Sequence, residues 1–169
     1  MCELVGSVCA KVRHLAVNPD NSNEVYAATT NDDLSSPGVF VSTDGGSNWG
    51  DITIPGSPVD WAAIGGSVAY INKDTISAVV VGTSNGVYVF DSITMTWTLL
   101  AKDLPTVPVM DMLYEATDDR LVLGTLGRGV WYLDEASDVV SSVLTGFIPW
   151  RNLGEQYNDT TIGGSSMSV

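Results

Sequence analysis

The sequence predicts an all-β protein built from three four-stranded antiparallel repeats. The first sign is a recurring triplet, Gly-Val-aromatic, at Gly38-Val39-Phe40, Gly86-Val87-Tyr88 and Gly129-Val130-Trp131, with starts 48 and then 43 residues apart. The second is the β-rich run before each triplet: Val25-Tyr26-Ala27-Ala28-Thr29, Val79-Val80-Val81-Gly82-Thr83 and Leu121-Val122-Leu123-Gly124-Thr125. The third is a constant offset of 10 residues from the triplet valine to Trp49, Trp97 and Val140. Short runs of β-branched and aromatic residues bounded by turn residues read as strands. The boundaries here include Asn18-Pro19-Asp20-Asn21, Asp44-Gly45-Gly46 and Asn85-Gly86, whose Gly and Asn tolerate positive φ.

Each element follows from that pattern. In the first repeat, strands are expected at 12–17, 24–29, 38–42 and 48–53. In the second they fall at 67–71, 77–83, 86–90 and 96–100, and in the third at 109–114, 120–125, 129–133 and 138–144. No helical period sustained over ten residues is expected. Four-stranded units at this period are the blades of a β-propeller. A lone blade cannot bury both faces, so neighbours must stack. The domain plan is three blades over 1–144 (about 10–54, 55–107 and 108–144) and a Gly/Ser/Thr-rich tail at 145–169, with room for one extra strand around Trp150.

Composition narrows the partners. Of 169 residues, 44% are hydrophobic and 16% charged, a globular balance. Twenty acidic residues against seven basic give a net charge of −13. With no basic stripe to replace counterions, nucleic acid is excluded as a partner, and anionic membrane surfaces are disfavoured. No apolar run is long enough to span a bilayer, so membrane insertion is not expected. Residues 1–10 do not read as a signal peptide, and an extracellular or particle-associated location is expected. Cys2, Cys9 and His14 make no zinc site, so no metal and no cofactor are expected. Whether the two cysteines pair is open.

Ser42-Thr43-Asp44-Gly45-Gly46-Ser47-Asn48-Trp49 matches the pattern Ser-x-Asp-x-Gly-x-x-Trp and resembles the Asp-box, or BNR, repeat. The segment Leu15 to Tyr26 resembles the strand–turn–strand entry of such repeats, and Gly127-Arg128-Gly129-Val130-Trp131 a sequence found near the end of such propellers. The resemblance covers roughly 10–144. The second box, Asp91 to Trp97, lacks its glycine, and the third has Val140 in place of Trp. The resemblance implies a turn between the third and fourth strands, on the face away from any active site. Ser42, Asp44, Gly46, Trp49 and Trp97 are then fold-holding residues, with Trp49 expected to matter more than Trp97.

The opposite face is expected to carry the ligand, on loops 30–37, 54–66, 84–85, 101–108 and 126–128. Its candidates are Asp32, Asp33, Asp60, Trp61, Asn85 and Arg128. Trp61, in a Gly/Pro-rich loop, either stacks on a sugar ring or caps the blade core. Arg128 either grips a carboxylate or sulfate bidentately or is a turn arginine paired to an acid. His14 falls on an inner strand as a core or channel-lining residue, with no catalytic partners placed around it. The resemblance implies three functional classes. They are a non-catalytic binding or scaffold module for a glycan or partner protein, a piece of a larger propeller glycoside hydrolase of sialidase or xyloglucanase type, and a structural component of a virion or particle surface. Four arginines and no Phe-Arg-Ile-Pro segment argue against a complete sialidase site. Enzymatic activity is left open, leaning to none. A three-blade arc leaves open blade faces, so a homo-oligomer or larger assembly is expected to cover them.

Overall fold

The computed structural model describes residues 11–30, 37–54, 59, 64–100, 104 and 106–145, together with the backbone of four short strands near the ends. Those short strands are β1 (Leu4–Val5), β2 (Val8–Cys9), β14 (Thr161–Ile162) and β15 (Ser165–Ser166), which form two small hairpins. The expected strand around Trp150 lies outside the described residues.

The first blade is β3 (Lys11–Asn18), β4 (Asn21–Thr30), β5 (Val39–Ser42) and β6 (Gly50–Asp51), paired antiparallel in that order. The second is β7 (Ile64–Lys73), β8 (Ile76–Thr83), β9 (Val87–Asp91) and β10 (Thr96–Leu99), in the same order. The third has β11 (Val109–Glu115), β12 (Arg120–Thr125) and β13 (Gly129–Leu133), followed by helix α1 (Ala136–Thr145). The all-β propeller-blade class therefore holds, and the expected strand at 138–144 is corrected to a helix.

Two facts explain that correction. The pairs Val139-Val140 and Val143-Leu144 are four residues apart, so they share one helical face. That face packs with Ala136 on the core beside Leu121, Leu123 and Leu133. The helix start is held from far away in the chain. The Ala136 amide donates to the Asp119 carbonyl at 3.0 Å, and the Ser137 amide and hydroxyl donate to the Asp119 carboxylate at 3.0 and 2.7 Å. These amides would otherwise lack acceptors. Asp138 adds a negative charge to the first turn, where it is favourable.

Two cores lie between the blades. Ala28 and Val39 of the first blade meet Val68, Val79, Val81 and Trp97 of the second. The opposite face of the second blade, with Ala69, Val80, Val87 and Val89, meets Met112 and Leu121 of the third. A polar seam closes the first interface. Glu24 accepts from Asn18 Nδ2, Tyr26 Oη and Tyr70 Oη at 3.0, 2.6 and 3.3 Å. Burial and the Glu24 carboxylate push the Tyr26 phenol upward, which keeps it a donor.

One device recurs in all three blades. At the end of each second strand a threonine hydroxyl donates to a glycine carbonyl at the start of the third. The pairs are Thr29 to Gly38 at 3.2 Å, Thr83 to Gly86 at 2.9 Å and Thr125 to Gly129 at 2.7 Å.

Candidate functional site

The Ser42–Trp49 turn joins β5 to β6, between third and fourth strands as expected. Asp44 Oδ1 accepts the Ser42 hydroxyl and the Asn48 amide, both at 2.8 Å, while Oδ2 accepts Asn48 Nδ2 at 2.6 Å. The Asn48 side chain, the Asn48 amide and Ser42 hold the Asp44 carboxyl at about 2. The Ser42 hydroxyl also accepts the Gly46 amide at 2.8 Å. Gly45 and Gly46 take φ of 71° and 95°, where a side chain is disfavoured. Asp44 is thus occupied with its own turn.

Trp49 lies half-buried along this turn and donates Nε1–H to the Gly46 carbonyl at 2.9 Å. Trp97, by contrast, is 2% exposed. It donates to the Ile52 carbonyl of the first blade at 2.9 Å and stacks on Phe90 at 5.0 Å. The expected ranking of the two tryptophans is therefore reversed: Trp97 sits between two blades, whereas Trp49 sits over one turn.

The second repeat keeps an acid-centred turn without its glycine. Asp91 Oδ1 accepts the Ile93 amide at 2.8 Å and Oδ2 the Thr94 hydroxyl at 2.7 Å, which lowers its carboxyl. Met95 supplies the positive φ, at 55°. In the third repeat, Arg120 Nε donates to Asp134 at 2.5 Å and the guanidinium lies over the Tyr132 ring.

Of the loop-face candidates, Trp61, Asp60, Asp32 and Asp33 lie outside the described residues. Asn85 holds its own turn: its amide donates to the Thr83 hydroxyl oxygen at 3.1 Å, and its side-chain carbonyl lies 2.5 Å from that oxygen. Arg128 is exposed between Gly127 and Gly129, with φ of 79° and 75°. Its carbonyl accepts Trp131 Nε1–H at 3.1 Å. Among the described residues no carboxylate pairs with its guanidinium.

The inner strands β3, β7 and β11 lie side by side. Each has a register shift near its start, and beyond it His14, Ser67 and Asp111 pair with Ala28, Gly82 and Gly124 respectively. These three residues hold one repeat position, and the first two reach forward to the next blade. His14 Nδ1 lies 2.8 Å from the Val68 carbonyl and 3.2 Å from its amide, and Nε2 lies 3.2 Å from Asp111 Oδ1. With its proton on Nδ1 the ring donates to the Val68 carbonyl; with it on Nε2 the ring donates to Asp111 and accepts from the Val68 amide. Ser67 Oγ donates to the Val109 carbonyl at 3.1 Å. His14 thus ties all three blades along the inner wall. Asp111 is not marked by any local motif; only the strand register, in which each of the three pairs with the residue before the second-strand threonine, puts it at the position of His14.

Among the described residues, no three or more His, Cys, Asp or Glu side chains gather to hold a metal ion. Among them, too, no helix is long and apolar enough to cross a membrane.

No family model matches the chain, and no curated protein matches it. Among solved structures it is similar to the GH74 enzyme of Niastella koreensis, with a TM-score of 0.55 and 17% identity over 72% of this chain and 21% of that one. It is also similar to an ancestral GH74 enzyme, with a TM-score of 0.51 and 18% identity over 77% of this chain and 18% of that one. The chain spans about a fifth of the length of these enzymes. At such identity the likeness is one of fold, and it matches the propeller-blade architecture.

Proposed function

We propose that this chain is a propeller segment that works as a binding or scaffold module, with a glycan or a partner protein as ligand, in an extracellular or particle-associated setting. The reading is carried by how the described turn acids are used. Asp44, Asp91, Asp119 and Asp134 are each engaged in hydrogen bonds or an ion pair that shape the blades. Glycoside hydrolysis needs two carboxylates facing a bond at a defined separation. Arg128, exposed on the loop face, is suited to an anionic or polyhydroxylated ligand. Trp61, Asp60, Asp32, Asp33 and Asn85 complete the proposed surface from the neighbouring loops.

A second reading, a piece of a larger propeller glycoside hydrolase, is favoured by one observation: two GH74 enzymes share this fold over about a fifth of their length. A glycan array followed by titration separates the two. Under the binding reading, Trp61→Ala or Arg128→Ala weakens the responsive glycan by at least about tenfold, roughly 1.4 kcal/mol, while Asp44→Ala leaves it unchanged. Release of reducing ends from a soluble glucan by the isolated chain would instead favour the hydrolase.

A further inference from the structure

The threonine device ends on a glycine in every blade, at Gly38, Gly86 and Gly129, and the residues before it are Pro37, Asn85 and Arg128. At Gly86 the backbone requires glycine: φ is 144°, and a Cβ would stand 2.8 Å from Leu99 Cδ1. The second blade therefore sets an asparagine, a thermolabile residue, before a glycine the fold cannot replace, and Asn85-Gly86 is the one Asn-Gly step in the chain. Glycine leaves the following amide nitrogen unscreened, so that nitrogen can attack the asparagine carboxamide. Local contacts keep the step open. Asn85 is exposed, and its side-chain carbonyl lies 2.5 Å from the Thr83 hydroxyl oxygen, which keeps the carboxamide beside its own turn. Among the described residues, neither the Asn85 side-chain nitrogen nor the Gly86 amide has an acceptor. In the first blade the Gly38 amide donates to the Thr29 hydroxyl oxygen at 3.0 Å, whereas in the second the Asn85 amide takes that acceptor, at 3.1 Å.

Asp44-Gly45, the one Asp-Gly step, shows the closed case. There the Gly45 amide donates to the Asn23 carbonyl at 2.9 Å. Both Asp44 oxygens accept from Ser42 and Asn48, and the carboxyl, held low by those donors, stays ionised and is a poor electrophile. We infer that Asn85-Gly86 is a site of spontaneous covalent modification, at which the carboxamide passes through a cyclic imide to a carboxylate. Hydroxide removes the Gly86 amide proton, and the nitrogen bonds to Asn85 Cγ. The bond from Cγ to the side-chain nitrogen breaks, and that nitrogen leaves as ammonia with a proton taken from water. Water then adds to one of the two imide carbonyls and breaks its bond to the Gly86 nitrogen, which regains a proton. Opening at Cγ leaves an aspartyl residue. Opening at the main-chain carbonyl leaves an isoaspartyl residue, whose backbone is longer by one methylene. No electrons are transferred, and solvent supplies the only co-reactant. Either product adds a negative charge to the loop face. The isoaspartyl form also lengthens the turn that brings the Thr83 amide to the Gly86 carbonyl at 2.9 Å. The step needs no ligand, so it stands apart from the binding reading.

The test is incubation of the full, folded chain in mildly alkaline buffer, followed by tryptic peptide mapping with mass spectrometry. Cleavage after Lys73 and Lys102 yields a peptide in which Asn85 is the only asparagine, so loss of an amide there belongs to that residue. The expected result is a steady conversion of this peptide to aspartyl and isoaspartyl forms, faster in proportion to hydroxide and matched by released ammonia, while Asp44 stays unisomerised. Asn85→Gln, which would have to close a larger ring, should show no conversion over the same period and should keep the wild-type circular dichroism. The free peptide of the same sequence is the chemical control. If the folded chain stays unconverted while the free peptide converts, the turn protects the step and the inference is overturned. Equal conversion of the Asn85→Gln chain in this peptide overturns it as well.

Discussion

Replacing Trp97 with alanine removes the largest side chain shared between the first two blades. The indole is 2% exposed, rests on Phe90, and carries the hydrogen bond to the Ile52 carbonyl. Truncating a buried tryptophan costs about 3–5 kcal/mol through lost transfer energy and an incompletely collapsed cavity. A buried carbonyl left without its donor adds about 1 kcal/mol. A total of about 4–6 kcal/mol is a large share of the roughly 5–15 kcal/mol by which domains are stable. At about 2–4 °C per kcal/mol for a chain of this size, melting should fall by roughly 8–24 °C. Trp97→Phe keeps most of the packing and should lose about 1–2 kcal/mol, chiefly the hydrogen bond. Trp49→Ala should cost only about 1–2 kcal/mol, since that ring is half-buried. Thermal and urea unfolding followed by circular dichroism measure all three variants. If Trp97→Ala melts within about 2 °C of wild type, or if Trp49→Ala is the more damaging, the packing argument fails.

Two further outcomes follow from the turns and the helix. The Asp44 carboxyl is lowered from 3.8 to about 2 by Asn48 and Ser42, so its contribution to the turn is full above pH 3.8 and is lost as pH falls toward 2. A carbon-detected titration should place its midpoint near 2, and a midpoint near 4 would mean that these hydrogen bonds are absent in solution. Asp119→Ala should strip the α1 N-terminus of its acceptor and leave the Tyr114 hydroxyl, now 2.8 Å from Asp119, without one; the expected loss is about 2–3 kcal/mol. Asp119→Asn, which tolerates the φ of 52° at this position, should cost less, and equal losses for the two variants would contradict the capping role.

The sequence by itself determined the blades. Their strands are short and local, and residues such as Val25 to Thr29 and Leu121 to Thr125 carry enough β preference and turn punctuation to be placed without knowing their neighbours. The acid-centred turn at Ser42–Trp49 was legible for the same reason, since Asp44 and the groups that donate to it lie within eight consecutive residues. The candidate site was legible only as a set of loops, and the two described members differ: Asn85 holds a turn, while Arg128 stands exposed. Tertiary structure decided whatever depended on residues far apart in the chain. Residues 138–144 carry β-branched valines and read as a strand, but an acceptor at Asp119 and a core face for Val139 and Val140 favour a helix. Trp97 outranks Trp49 because the acceptor for its indole belongs to another blade. His14 and Asp111, 97 positions apart, are brought together by the curvature of three stacked sheets. That curvature arises from packing between blades, which no single repeat encodes.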